Sequence, residues 1–219
     1  MLSVAPRPAH RLIPSRFPPI GLFDTVATAA DLQAVMELAG WTNDRLVAER
    51  IARLPRDEWV YGRANASIVM ASFLHVPPGG SRFNGPDQGA WYAAAVLATA
   101  AAEVGHHLRR EAVARGVAGA RRTFRAYAAM LTGTYEDIRG QQAVRPDLYA
   151  PASYAAGQAF GEAIRAAGGA GIVYDSVRHR GGRNVAAFRP SRVLDVVQTD
   201  HFDISVSVAE RRIDVRRLP

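Results

Sequence analysis

From His75 to Gly89 the chain reads HVPPGGSRFNGPDQG, with prolines at 77, 78 and 86 and glycines at 79, 80, 85 and 89. No helix or strand can run through such a stretch, because proline removes donors and fixes φ while glycine carries no local preference. The chain is therefore cut into independent elements on either side of a long loop, and loops of that length usually carry function. Immediately after it the pattern turns apolar. Trp91–Ala93 reads as a short strand, and Leu97–Arg115 as a helix with Ala100, Ala101, Val104 and Leu108 inward and Arg109, Arg110 and Glu111 outward.

Residues 1–23 hold prolines at 6, 8, 14, 18 and 19, which predicts an extended strip lying along the surface. Thr28 and Asp31 form a capping signal for two short helices that end at Pro55. Ala66–Leu74 is apolar and fits strand or helix. Arg122–Leu131 alternates as a strand, Tyr154–Ala167 forms an amphipathic helix stopped by Gly168 and Gly169, and Gly171–Tyr174 is a short buried strand. Asn184–Phe188, Val193–Gln198, Ile204–Val208 and Arg212–Val215 read as successive strands separated by polar turns. The expected fold is α+β, a single domain with a mixed or antiparallel sheet and flanking helices. Within it, residues 1–60 form a lead-in with short helices, 61–192 the core, and 193–219 closing strands of the same domain.

Composition removes whole classes of chemistry. Cysteine is absent, so thiolate nucleophiles, disulfides and thiolate-held clusters are excluded. All 27 of the residues counted as Lys+Arg are arginine, which excludes Schiff-base chemistry and a Walker A loop. A formal charge of +7 favours an anionic partner without choosing its kind. The longest apolar run, Ala90–Ala102, is too short to span a bilayer, and the opening MLSVAPRPAHRL lacks the apolar stretch of a signal peptide. A soluble cytoplasmic protein without membrane contact is expected.

Several familiar signals fail. Gly169-Ala170-Gly171 begins a dinucleotide-like pattern, but Tyr174 stands where the last glycine belongs and the run follows a helix. His75, His106 and His107 have no metal-like spacing with carboxylates, so no metal is expected. The pairs Arg109-Arg110, Arg121-Arg122 and Arg211-Arg212 lack the interleaved aromatics of a nucleic-acid surface and read as a solvated face.

What stands out is GGSRFNGPDQGAWYAAAVLATAAAE, matched later by GIVYDSVRHRGGRNVAAFRP. Arg82 in a glycine-rich loop can clamp a phosphate, Tyr92 offers a stacking face, and Glu103 on an alanine-rich helix face has no packing reason to be there. Together they suit a nucleotide. Spacing alone leaves a plainer reading beside this one, in which Arg82 and Glu103 form a partly buried ion pair and Tyr92 fills the core.

These two stretches resemble the RES domain, a family named for its arginine, glutamate and serine, and RLIPSRFPPIGLFD resembles the lead-in of one of its branches. The resemblance covers most of Arg11–Pro190. It makes Arg82 the family arginine, Glu103 the glutamate and Ser176 the serine, with Tyr92 at the aromatic position between the first two. Phe83 stands where many members have tryptophan, and the tail from Val193 carries no motif of the family. The resemblance implies a fold similar to ADP-ribosyltransferases and cleavage of the nicotinamide–ribose bond of NAD. NAD is then substrate, inorganic phosphate is a possible co-substrate, and no other cofactor is needed. Arg82 would hold the pyrophosphate or an attacking phosphate. Tyr92 would pack against the nicotinamide end, Ser176 would bind a ribose hydroxyl or the carboxamide, and Glu103 would stabilise the ribosyl cation. The resemblance further implies the toxin of a bacterial toxin–antitoxin pair, held by an Xre- or MbcA-like antitoxin, touching nucleic acid only through that partner and able to form homo-oligomers. Two other readings stay open: an ADP-ribosyltransferase acting on a macromolecule, and a non-catalytic arginine-rich binding protein.

Overall fold

Short apolar runs such as Ile172–Tyr174 and Val185–Ala187 form strands buried on both faces, and all the described strands collect into one sheet. The structure is a computed structural model that describes residues 1–17, 21, 23–28, 30–32, 34 and 45–219. In chain order the elements are β1 (Leu2–Ser3), β2 (Ala9–Pro14), α1 (Arg45–Ala52), α2 (Ala66–Leu74), β3 (Trp91–Ala94), α3 (Leu97–Ala114), β4 (Gly119–Leu131), β5 (Tyr135–Asp137), α4 (Ala155–Ala166), β6 (Gly171–Asp175), β7 (Arg183–Ala187), β8 (Val193–Ser207) and β9 (Ile213–Arg217). The strands lie in the order β1-β5-β6-β7-β3-β2-β4-β8-β9. The β5–β6 pair is parallel and every other pair is antiparallel, so the fold is α+β on a mixed sheet, as the pattern of elements predicts.

Two expectations need correction. The proline-rich start is extended, but β2 is not a surface strip: it pairs with β4 from Ala9 to Pro14 and meets β3 at His10, in the middle of the sheet. Its prolines permit this because Pro6 and Pro8 precede the strand and Pro14 is its last residue, so none deletes a donor from the strand interior. The second correction concerns Val193–Gln198 and Ile204–Val208, which belong to one strand. Polar residues of the intervening stretch find partners across the ladder, with Thr199 Oγ1 donating to Ala126 O at 3.4 Å and Arg121 Nε donating to Asp203 Oδ1 at 2.9 Å. The ladder absorbs the irregularity as two register shifts against β4 and a positive φ at Asp195.

The other element expectations fare well. Ala66–Leu74 resolves as a helix, and eight of its nine residues are buried, which explains why its sequence has no polar face. The Thr28–Asp31 box forms: Asp31 Oδ2 accepts from Thr28 N at 3.1 Å, and Thr28 Oγ1 accepts from Asp31 N at 3.1 Å. Val35, Met36, Leu38 and Ala39, which follow Leu32 at helical spacing in the first of the two expected short helices, and Gly40, where that helix is expected to break, lie outside the described residues. The two-residue β1 and three-residue β5 are too short to show a period and are not evident in the sequence.

Residues opposite each other in an antiparallel ladder share a face. On one face Trp91, Tyr127, Val185 and Val173 pack under α2. On the other, Leu12, Ala94, Phe124 and Ala126 meet α3 through Ala100 and Ala101. Farther along that second face, Ala186, Ile172, Tyr174 and Phe188 meet Phe83 and the α4 side chains Phe160 and Ile164. The register places Tyr92 opposite Ala186 and Asn184 opposite both Ala94 and Tyr174, so these side chains rise from the sheet on the face that α3 and α4 cover.

Candidate active site

Glu103 sits in the second turn of α3, whose alanines allow the helix to lie low on the sheet. Its Oε1 accepts two hydrogen bonds of 2.7 Å, one from Ser176 Oγ just past β6 and one from Asn184 Nδ2 on β7. Oε2 accepts none from the described residues and is not sealed from solvent. The carboxylate is thus held by one oxygen and presents the other.

Ser176 is 7% exposed and its hydroxyl is fully used. It donates to Glu103 and accepts from the backbone N–H of Arg178 at 3.1 Å and His179 at 3.0 Å. One donor and two lone pairs are all a hydroxyl has. The Ser176 N–H closes the 176–182 loop by donating to Gly182 O at 2.8 Å. A second tie to α3 comes from Thr99 Oγ1, 2.8 Å from His179 Nδ1. Ser176 therefore fixes Glu103 and shapes the loop beside it.

Arg82 lies in the long loop and is 8% exposed. Its Nη1 donates to Leu148 O at 3.0 Å and Ala150 O at 3.1 Å, and its guanidinium lies over the Tyr154 ring with the centroid 4.9 Å away. Nε and Nη2 have no hydrogen-bond partner among the described residues and neither is sealed from solvent. That edge is the one free to meet an anion. Tyr92 braces the same loop: its Oη accepts from Phe83 N and donates to Asn84 Oδ1, both at 2.9 Å. Burial raises the Tyr92 phenol well above its ordinary value, against the pull of the Phe83 N–H and the nearby guanidinium charges of Arg165 and Arg82, so it stays a neutral donor. From β2, Arg11 stacks over Trp91 at 4.9 Å and donates to Tyr92 O at 3.0 Å, tying the N-terminal strand to the strand that carries Tyr92.

Tyr174 completes the floor. Its ring meets Phe83 edge-on at 4.8 Å, and its phenol is raised by burial and by the negative charge of Glu103, while Arg82 acts in the opposite sense. The structure thus joins Glu103 directly to Ser176, and Tyr92 to the residues that follow Arg82. It does not join Arg82 to Glu103. The guanidinium is held by carbonyls and the carboxylate by Ser176 and Asn184, so the plain ion-pair reading is not what the molecule contains. Asn184, Tyr174 and Tyr154 are site residues that the sequence reading passes over. Asn184 alone left a signal, as a lone polar residue among apolar ones in NVAAF, where an uncharged strand position 3% exposed must find a partner. Two surface clefts, one lined by Arg56, Trp59, Tyr61 and Arg63 and one by Leu97, Ala101, Ile213 and Val215, border neither Arg82 nor Glu103.

Comparison with protein families matches residues 48–207 to the RES domain. The chain belongs to the RES domain family. Arg82, Tyr92, Glu103, Ser176 and Asn184 all fall inside the RES domain match. β2 falls outside it, although it lies between β3 and β4, so the folded unit is wider than the matched span. A comparison with curated proteins finds none that matches.

Proposed function

We propose that this RES-domain protein cleaves the bond between nicotinamide and ribose in NAD, with water or inorganic phosphate as acceptor, and that it acts as the toxin of a toxin–antitoxin pair. The observation that carries this reading is the one-sided grip on Glu103, whose Oε1 is fixed by Ser176 and Asn184 while Oε2 is left for a ligand. Breaking the C1′–N bond sends the electron pair to the departing nicotinamide, which leaves neutral, and places positive charge on the ribosyl carbon. A preorganised carboxylate stabilises that charge without a metal. Water then adds at C1′ and loses a proton, or phosphate oxygen adds there directly. Arg82 has the free guanidinium edge suited to a diphosphate or an incoming phosphate. Tyr92 holds the Arg82 loop and contributes its ring beside Tyr174, and Ser176 acts through Glu103.

The test is to incubate the pure protein with NAD, with and without phosphate, and to follow nicotinamide release. Turnover is expected for the wild type, and Glu103→Gln should fold normally yet lose activity by roughly a hundredfold to a thousandfold, the usual cost of removing one such electrostatic contact. A folded wild type that releases no nicotinamide, or a Glu103→Gln protein with wild-type turnover, would sink the reading. A second reading, transfer of ADP-ribose to a macromolecule, draws on the exposed Arg110, Arg180 and Arg183, which lie on the site's helix, its 176–182 loop and the start of β7. It requires label from NAD to appear on protein or nucleic acid in the same assay.

A further inference from the structure

The Arg82 loop is held by α4 as much as by the strand after it. Gly157 and Gly161, one turn apart, face the loop so closely that a Cβ on Gly157 would lie 2.3 Å from Arg82 O and one on Gly161 2.0 Å from Phe83 O. Helix backbone and loop backbone are therefore in direct contact at Arg82 and its neighbour. Gln158, Glu162 and Arg165, at spacings of four and three, line a helix face and bind the loop on both sides of Arg82. Gln158 Nε2 donates to Gly79 O at 2.8 Å and Ser81 O at 3.0 Å, Glu162 Oε1 accepts from Gly85 N at 3.0 Å, and Arg165 Nη2 donates to Gly89 O at 2.8 Å. Arg165 is itself locked by Phe188 O at 3.1 Å, by the Phe188 ring at 4.8 Å and by Glu162 Oε2 at 3.3 Å.

We infer that Gln158, Glu162 and Arg165 are positioning residues that set the Arg82 guanidinium for the substrate's diphosphate, an inference that rests on the NAD reading above. None of the three needs to touch substrate. Their hydrogen bonds fix Gly79, Ser81, Gly85 and Gly89, so that the loop carries Arg82 in one place instead of sampling many, and the ordering is complete before the ligand arrives.

The test uses the full chain with Glu162→Ala, Glu162→Gln and Gln158→Leu, steady-state kinetics with NAD, and amide exchange across residues 79–89. Loss of loop preorganisation should raise KM for NAD on the order of tenfold in Glu162→Ala and Gln158→Leu, with kcat within about twofold, because a binding contact is weakened in ground state and transition state alike. Exchange at Gly85 should quicken in Glu162→Ala while melting temperature stays near that of the wild type. Glu162→Gln keeps an acceptor oxygen and should recover most of the loss. An unchanged KM, or a fall in melting temperature with both kinetic constants intact, would overturn the inference. If the wild type releases no nicotinamide, the NAD reading fails by itself and exchange decides this one: faster exchange at Gly85 in Glu162→Ala sustains the loop-positioning role, and unchanged exchange overturns it.

Discussion

At Glu103, a single carboxylate oxygen takes both hydrogen bonds offered by the described residues, and the second oxygen is spared. That division was not legible in the sequence, because it depends on Ser176 and Asn184 arriving from two different strands. The sequence did mark Glu103 itself, since a charged residue among alanines has no packing role. His106, three residues on, is a buried-group problem of another kind. Its Nε2 is sealed from solvent with no hydrogen-bond partner among the described residues, and burial followed by the charges of Arg178, His107 and the neighbouring arginines lowers its pKa to about 4 from 6.5. The unfolded chain then binds a proton that the folded chain refuses. Stability from this group is complete above the unfolded pKa near 6.5 and is lost as pH falls toward 4. Asp137 and Asp203 also lose stabilisation in acid, but their lowered pKa values put that loss below 3.8. His106→Gln should therefore flatten the decline in denaturant midpoint between pH 6.5 and 4 and leave the steeper acid loss in place. Equal slopes for the two proteins across that window would show that His106 does not resist protonation.

At the scale of elements, α4 was readable as a helix from its apolar period and from the glycines that end it, Gly168 taking a φ of +82°. Its role as a bed for the Arg82 loop was not readable, because Gly157 and Gly161 look like weak points of a helix until the loop is seen lying on them. Gly161→Ala places a methyl carbon against Phe83 O, which cannot yield without moving the loop. The cost should be about 1–3 kcal/mol, as for other overpacked contacts, with a lower melting temperature and a raised KM for NAD. Gly79→Ala has no atom within 4 Å of the added carbon and serves as the comparison. A Gly161→Ala protein as stable as Gly79→Ala would mean that loop and helix are not in contact in solution. β2 and β8 misled for a common reason. Prolines and runs of polar residues signal breaks only when nothing pairs with them, and both strands lie against β4, the longest of their neighbours. Pairing between distant segments overrides local propensity, and no local pattern encodes it.

Over the whole molecule, the charge balance and the family span bear on what meets the site. The net charge of +7 is carried entirely by arginines over carboxylates, and Arg110, Arg180 and Arg183 are exposed around the Glu103 helix and the 176–182 loop, with Arg178 half-buried there. A field of that sign draws NAD and any partner that bears carboxylates, and steering of this kind speeds encounter more than it tightens binding. A protein inhibitor of this site should therefore be acidic where it docks, offering Arg82 a carboxylate in place of the diphosphate. Association should slow steeply as salt rises, because exposed charges are screened within about 8–10 Å at physiological ionic strength. In cells, expression of the wild type should lower NAD and halt bacterial growth, expression of Glu103→Gln should do neither, and co-expression of the neighbouring reading frame should restore both. These three arms separate the causes. If Glu103→Gln is as harmful as the wild type, the harm comes from the arginine surface and not from chemistry at the carboxylate. If the folded wild type leaves NAD and growth unchanged, the toxin reading falls and a binding role for the arginine surface takes its place. A neighbour that binds yet leaves NAD falling would place its docking face away from Arg82, and the salt dependence of that complex would then no longer follow the charge around the site.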